Sequence, residues 1–256
     1  MRRTKKSFVC VFLVILCLPA ALDAQTSSDT PVDFGVWFAW QGNHPLNTDS
    51  RWRLIVEGVF RRNKGIRTPE KYAVKGGIGY QWDNGLRVAA GARVDENFPF
   101  DSSSQPYRWP ESRIFQEVQF PISPGNGTNT YKQRITLEER WLGRKSAPNF
   151  GQVTSYNYET ILRYQFKYLR RLNSSIDSIF YDEIFLRLTP TNQKTLDQNR
   201  IFLGLGFKIE SKRVNRLEVG YLLQTVRNSE ETESGRKRVN NVISITLISE
   251  TPLRSR

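Results

Sequence analysis

The chain has 256 residues, with 38 Lys and Arg against 25 Asp and Glu, a net charge of +13, two Cys and one His. A hydrophobic fraction of only 38% excludes a bundle of membrane helices, and 12% aromatic residues excludes a disordered chain, which is poor in them. What remains is a structured chain, polar on average and rich in aromatics, sized for one large domain or two small ones.

Met1 to Lys6 form a basic stretch, Ser7 to Leu18 an apolar run, and Pro19 breaks it. Leu22-Asp23-Ala24 then offers a small-residue cleavage site, so residues 1–24 read as a secretory signal peptide. The apolar run is too short for a helical span of roughly 20 residues. Cys17 follows Leu16, where a lipidation signal wants a small residue. Both cysteines, Cys10 and Cys17, lie in this segment, so the remaining domain, 25–256, has no thiol for a disulfide or a thiolate metal site.

The rest of the chain alternates with period two. A first run spans Phe34–Gln41. Trp52, Leu54, Val56 and Phe60 are then interleaved with Arg53, Glu57 and Arg61; Tyr72, Val74, Ile78, Tyr80 and Trp82 with Lys71, Lys75 and Gln81. Asp83-Asn84-Gly85 is a tight-turn signal. Val88, Ala90, Ala92 and Val94 alternate with Arg87, Arg93 and Asp95, and Ile114, Val118 and Phe120 with Arg113 and Glu117. Tyr131, Ile135, Leu137 and Trp141 alternate with Lys132, Arg134, Glu138 and Arg140; Tyr158, Leu162, Tyr164 and Tyr168 with Glu159, Arg163 and Lys167. Phe180, Ile184, Leu186 and Leu188 alternate with Asp177, Glu183 and Arg187; Ile201, Leu203, Leu205 and Phe207 with Arg200, Lys208 and Glu210. Leu217, Val219, Tyr221 and Leu223 alternate with Arg216 and Glu218, and Ile243, Ile245 and Leu247 with Ser244 and Thr246.

On a strand, successive side chains point to opposite faces, so one face is apolar and the other charged. The runs are long for ordinary strands, aromatics sit at both ends of the apolar faces, and the polar faces carry full charges. Short connections alternate with longer ones, such as 62–70, 96–111 and 143–153. The expected fold is therefore all-β, a single antiparallel up-and-down transmembrane β-barrel of about 10–12 strands. The runs number about 11, and bacterial single-chain barrels have even counts, so 10 or 12 is expected. Pro99, Pro106 and Pro110 argue against a strand in 96–111.

Several blocks resemble the DUF2490 family of bacterial outer-membrane barrel proteins. They are Asp33-Phe34-Gly35-Val36-Trp37, Pro110 through Glu117, Leu137-Glu138-Glu139-Arg140-Trp141, Tyr181-Asp182-Glu183-Ile184-Phe185, and Asn199-Arg200 through Leu217-Glu218-Val219-Gly220-Tyr221. The resemblance implies a barrel in the cell outer membrane and no particular reaction. One departure is the polar tail after Leu247–Ser249, where many such barrels end in an aromatic read by the barrel-assembly machinery.

No nucleophile elbow, His-Glu-x-x-His motif or phosphate-binding glycine loop occurs. His44, in Gly42-Asn43-His44-Pro45, reads as a surface-turn residue. Gly76-Gly77-Ile78-Gly79 reads as a place of close backbone approach or a bend in the barrel wall. No catalytic, cofactor or metal site is expected. Glu138 and Glu183 are expected inward, leaving Glu139 and Asp182 outside the simple pattern.

The candidate lumen-lining charges are Arg53, Glu57, Arg61, Lys75, Arg87, Arg93, Arg113, Glu117, Arg134, Glu138, Arg140, Glu159, Arg163, Lys167, Glu183, Arg187, Arg200, Lys208, Arg216 and Glu218. Such a set either fills a barrel as a paired network or lines a narrow wet path biased toward anions. The expected function is an outer-membrane barrel, non-enzymatic, with a narrow anion-biased pore as its leading form. The alternatives are a structural or interaction barrel acting through long loops, chiefly 96–111, a membrane enzyme using His44, or a soluble periplasmic β-protein. Expected partners are outer-membrane lipid and the barrel-assembly machinery. Nucleic acid is not among them, because the basic residues alternate with apolar ones and form no patch of their own.

Overall fold

A computed structural model describes residues 32–99, 107–122, 127–145, 151–189, 196–209, 214–226 and 238–254. The expected signal peptide lies outside them. The described residues form eleven strands: β1 (Val32–Pro45), β2 (Trp52–Asn63), β3 (Thr68–Gln81), β4 (Arg87–Asn97), β5 (Trp109–Ile122), β6 (Asn129–Arg144), β7 (Ser155–Arg171), β8 (Ile176–Thr189), β9 (Leu196–Lys208), β10 (Arg216–Val226) and β11 (Arg238–Ser249). They close into one barrel in sequence order.

The count corrects the expected 10 or 12, and the closure corrects the wholly antiparallel expectation. Neighbours in sequence pair antiparallel, but β1 closes on β11 in parallel, from Val32 opposite Val239 to Gly42 opposite Ser249. The first run is a full strand that continues past Gln41 to Pro45. An odd number of up-and-down strands sends the first and last the same way, so their ladder has to be parallel. The connection expected over 96–111 is shorter, because β5 begins at Trp109 and holds Pro110 opposite Glu96. Pro110 is tolerated at the strand's start, and Gly143 faces its ring, where a Cβ would lie 3.0 Å from Pro110 Cγ.

β1 starts at one mouth, here the N-terminal mouth, which carries connections 64–67, 98–108, 145–154, 190–195 and 227–237. The other, the C-terminal mouth, carries 46–51, 82–86, 123–128, 172–175, 209–215 and the tail after Ser249. The tail folds back on β1. Leu253 N donates to Pro45 O at 2.9 Å and His44 Nδ1 to Thr251 O at 2.8 Å. His44 is therefore a buried residue inside β1 and not a surface-turn residue. Its ring lies over Gly42, where a Cβ would approach His44 Nε2 to 2.5 Å.

The apolar rows point out of the barrel. Phe38 and Trp40, Trp52 and Phe60, Val74 and Ile78, Val88 and Val94, Ile114 and Val118, and Ile201 and Leu203 are all exposed. Aromatics gather in two outward belts. Phe60 stacks on Tyr72 at 4.9 Å and Trp141 meets Tyr158 at 5.5 Å toward the N-terminal mouth. Trp52 meets Tyr80 at 5.3 Å and Tyr131 stacks on Tyr168 at 5.1 Å toward the other.

The inward rows are not uniformly ionic. Trp37, Ile179, Phe202, Leu222 and Val242 form one buried apolar cluster behind the parallel seam, and Ile55, Ala89 and Phe115 form a second. Glycines make room for the rings. A Cβ on Gly77 or Gly91 would sit 2.8 Å from Phe115, and one on Gly204 or Gly220 would crowd Phe202 at 2.5 or 2.6 Å. Within the expected stretch Gly76-Gly77-Ile78-Gly79, the close approach is at Gly77, part of the floor under the Phe115 ring, while Gly76 faces open space.

Candidate functional site: the ionic lumen

Because β-strand side chains alternate, strands β2 to β10 deliver charged side chains to the barrel interior, where they pair across the strands. Glu57 on β2 bonds Arg93 on β4 at 2.9 Å, and Arg93 also bonds Asp95 at 2.8 Å. Arg113 reaches Asp95 at 3.0 Å, Glu111 at 2.7 Å and Glu138 at 2.9 Å. Glu138 further accepts from Arg140 at 2.6 Å and from Arg163. Arg163 bonds Glu183 at 2.7 Å, which Arg134 and Arg200 approach to 3.0 and 3.6 Å. One chain of ion pairs therefore runs from β2 to β9.

Smaller groups complete the interior. Lys75 and Arg87 share Glu117 at 3.3 and 2.6 Å. Lys167 on β7 crosses to Glu218 on β10 at 2.7 Å, and Arg216 bridges Glu218 and Asp177 at 3.0 and 2.7 Å. Arg187 joins Glu159 at 2.6 Å and Asp197 at 2.5 Å. Pairs such as Glu57–Arg93, Lys75–Glu117, Arg134–Glu183 and Lys167–Glu218 skip at least one strand and so brace the barrel across its interior. Arg61 lies over the Trp37 ring, its guanidinium carbon 3.8 Å from the centroid. The two remaining candidates stand at the C-terminal mouth: Arg53 near the start of β2, and Lys208, exposed and donating to Ser174 O at 3.2 Å.

Glu70, Glu111 and Asp197 belong to these networks without having been singled out from the sequence, and Lys71 and Asp95, read there as members of the charged rows, join them although they were not among the lumen-lining candidates. Glu111 was hidden by its place beside Pro110. Asp197 was hidden by a register shift in β8 and β9, between Phe185 and Leu186. Asp182, expected outside the simple inward pattern, lies on the outward register and accepts from Asn199 Nδ2 at 2.6 Å. The stretch 96–111 holds four aromatics, Phe98, Phe100, Tyr107 and Trp109, not all of them free. Trp109 is buried in β5, and Phe98 packs edge-on against Tyr72 at 5.0 Å. Phe100 lies outside the described residues.

Among the described residues, a cavity of about 270 Å³ runs down the lumen. It lies just below the ~300–1,000 Å³ typical of small-molecule pockets. Its lining includes Arg61, Lys75, Arg93, Arg113, Arg134, Arg140, Arg163, Lys167, Arg200 and Arg238, against Glu57, Glu70, Glu117, Glu138, Glu183 and Glu218. The lining is thus richer in cations than in anions.

The model of one family, DUF2490, proteins of unknown function, matches residues 34–235. The chain belongs to this family. No curated protein and no solved structure matches it. Within the DUF2490 match lie all strands from β2 to β10 and nearly all of β1, so the ion-pair chain from Glu57 to Arg200 falls inside the family region. β11, which closes the seam, follows it.

Proposed function

We propose that this protein is an integral outer-membrane β-barrel, without a reaction of its own, whose braced lumen leaves a narrow passage favouring small anions. The observation that carries the membrane part is the inversion of the usual burial pattern. Charges such as Glu138, Glu183 and Arg113 are buried inside, while Val74 and Ile78 are 65% and 62% exposed outside. Apolar surface of that extent around the barrel wall calls for a lipid environment.

The belts fit the same reading. Trp52 and Phe60 cap the outward row of β2. At ~3.3 Å per residue and a strand tilt near ~40°, they stand about 20 Å apart in height, close to the ~25 Å apolar band of outer-membrane barrels. The anion bias rests on the cationic excess of the cavity lining.

Fractionation and planar bilayers test the two parts separately. The protein is expected in outer-membrane extracts, migrating faster on gels before heating than after. In bilayers under a salt gradient it should give a small conductance whose reversal potential lies toward that of the anion. Recovery in a detergent-free periplasmic fraction would sink the membrane reading, and a cation-selective conductance would sink the bias.

A further inference from the structure

We propose that the lumen holds a site for a small oxyanion, phosphate-like in size and charge, between Arg61 and Arg200 over the Trp37 indole. The site deepens the anion-biased reading above and rests on it. Arg61 comes from β2 and Arg200 from β9, on either side of β1, and their guanidinium carbons lie 3.8 and 5.3 Å from the Trp37 ring centroid. All three residues line the cavity, on the half nearer the N-terminal mouth.

Neither guanidinium is well neutralised. Arg61 is only 8% exposed, and its Nε has no hydrogen-bond partner among the described residues. Its ion pair with Glu70 is stretched to 3.9 Å, and Glu70 already accepts from the Trp37 indole N–H at 2.6 Å. Arg200 approaches Glu183 only to 3.6 Å, and that carboxylate is shared with Arg134 and Arg163. Gln198, with its amide turned to match, accepts from Arg200 Nη2 at 2.9 Å but brings no charge.

Two guanidiniums held near one ring in a low-dielectric interior repel each other, and an oxyanion between them relieves the repulsion. The planar forks match the paired acceptors of a phosphate or carboxylate better than the single point of a halide. The cavity, about 270 Å³, admits such an ion with a few waters and excludes larger solutes.

Calorimetric titration of the detergent-solubilised barrel with inorganic phosphate tests the site, with chloride at matched ionic strength as reference. Saturable phosphate binding is expected. Arg61→Gln and Arg200→Gln should each weaken it by roughly tenfold or more. Glu70→Gln keeps an acceptor for the Trp37 N–H while removing the competing charge, and should tighten binding by roughly threefold. This variant keeps the test decisive if the arginine variants fail to fold. Heats no different from chloride, an unchanged affinity in Arg200→Gln, or weaker binding in Glu70→Gln would overturn the site. Phosphate binding in a barrel that conducts nothing overturns the passage and not the site. Conductance without saturable binding overturns the site and not the passage.

Discussion

Three of the lumen's cations converge on Glu138. Arg113, Arg140 and Arg163 all donate to its carboxylate, and its side chain is 3% exposed. Removing one partner of a buried ionic group is costly because the others are left uncompensated. Glu138→Gln should therefore destabilise the barrel by about 3 kcal/mol, read as a lower urea midpoint for loss of the fast-migrating form. The comparison is Asp83→Asn, which breaks the pair with Arg51 at 2.5 Å where the two side chains are 80% and 50% exposed. Solvent screens that pair, and no shift in the midpoint is expected. At this scale the inward charges were legible because they alternate with apolar residues along each strand. The inward Phe115, Phe185 and Phe202 were not. Where both faces of a strand are apolar, as around Phe202 between Ile201 and Leu203, period two cannot say which ring turns in.

Among the elements, β1 is the one whose extent was hardest to read. Gly42, His44 and Pro45 break its alternation, yet the backbone continues because β2 pairs with it through Pro45 opposite Arg53. What holds its end is the tail: the Leu253 and His44 bonds described above, together with Glu250 N donating to Asn215 Oδ1 at 2.5 Å. A parallel ladder is somewhat weaker per residue than an antiparallel one, so the seam gains from being clasped at that mouth. Ending the chain at Ser249 removes these bonds and uncovers His44, and should lower stability by about 2 kcal/mol. Hydrogen exchange should localise the effect, with faster exchange of β1 amides near Gln41–His44 and little change in β6 or β7. Uniform acceleration around the barrel would mean the tail acts on the whole fold and not on the seam. The register shifts beside Pro69 and Leu196 were equally invisible in sequence, since a bulge leaves no compositional mark once both flanks still alternate.

For the molecule as a whole, the odd strand count separates the two ends of the chain. β1 begins at the N-terminal mouth and β11 finishes at the other, whereas an even count would bring both ends to one side. The longer connections, 98–108, 145–154 and 227–237, share the mouth where β1 begins, and the tail shares the mouth with the short turns 82–86 and 172–175. In outer-membrane barrels short turns face the periplasm and longer loops the outside. Under the proposed location, the start of β1 at Val32 faces the cell surface and the end of β11 at Ser249 faces the periplasm. An epitope placed between residues 25 and 31 should be labelled by antibody on intact cells, and one appended to Arg256 only after the outer membrane is permeabilised. Labelling of both epitopes on intact cells, or of neither, would place both ends on one side and so require an even number of spans, which the parallel pairing of β1 with β11 does not allow.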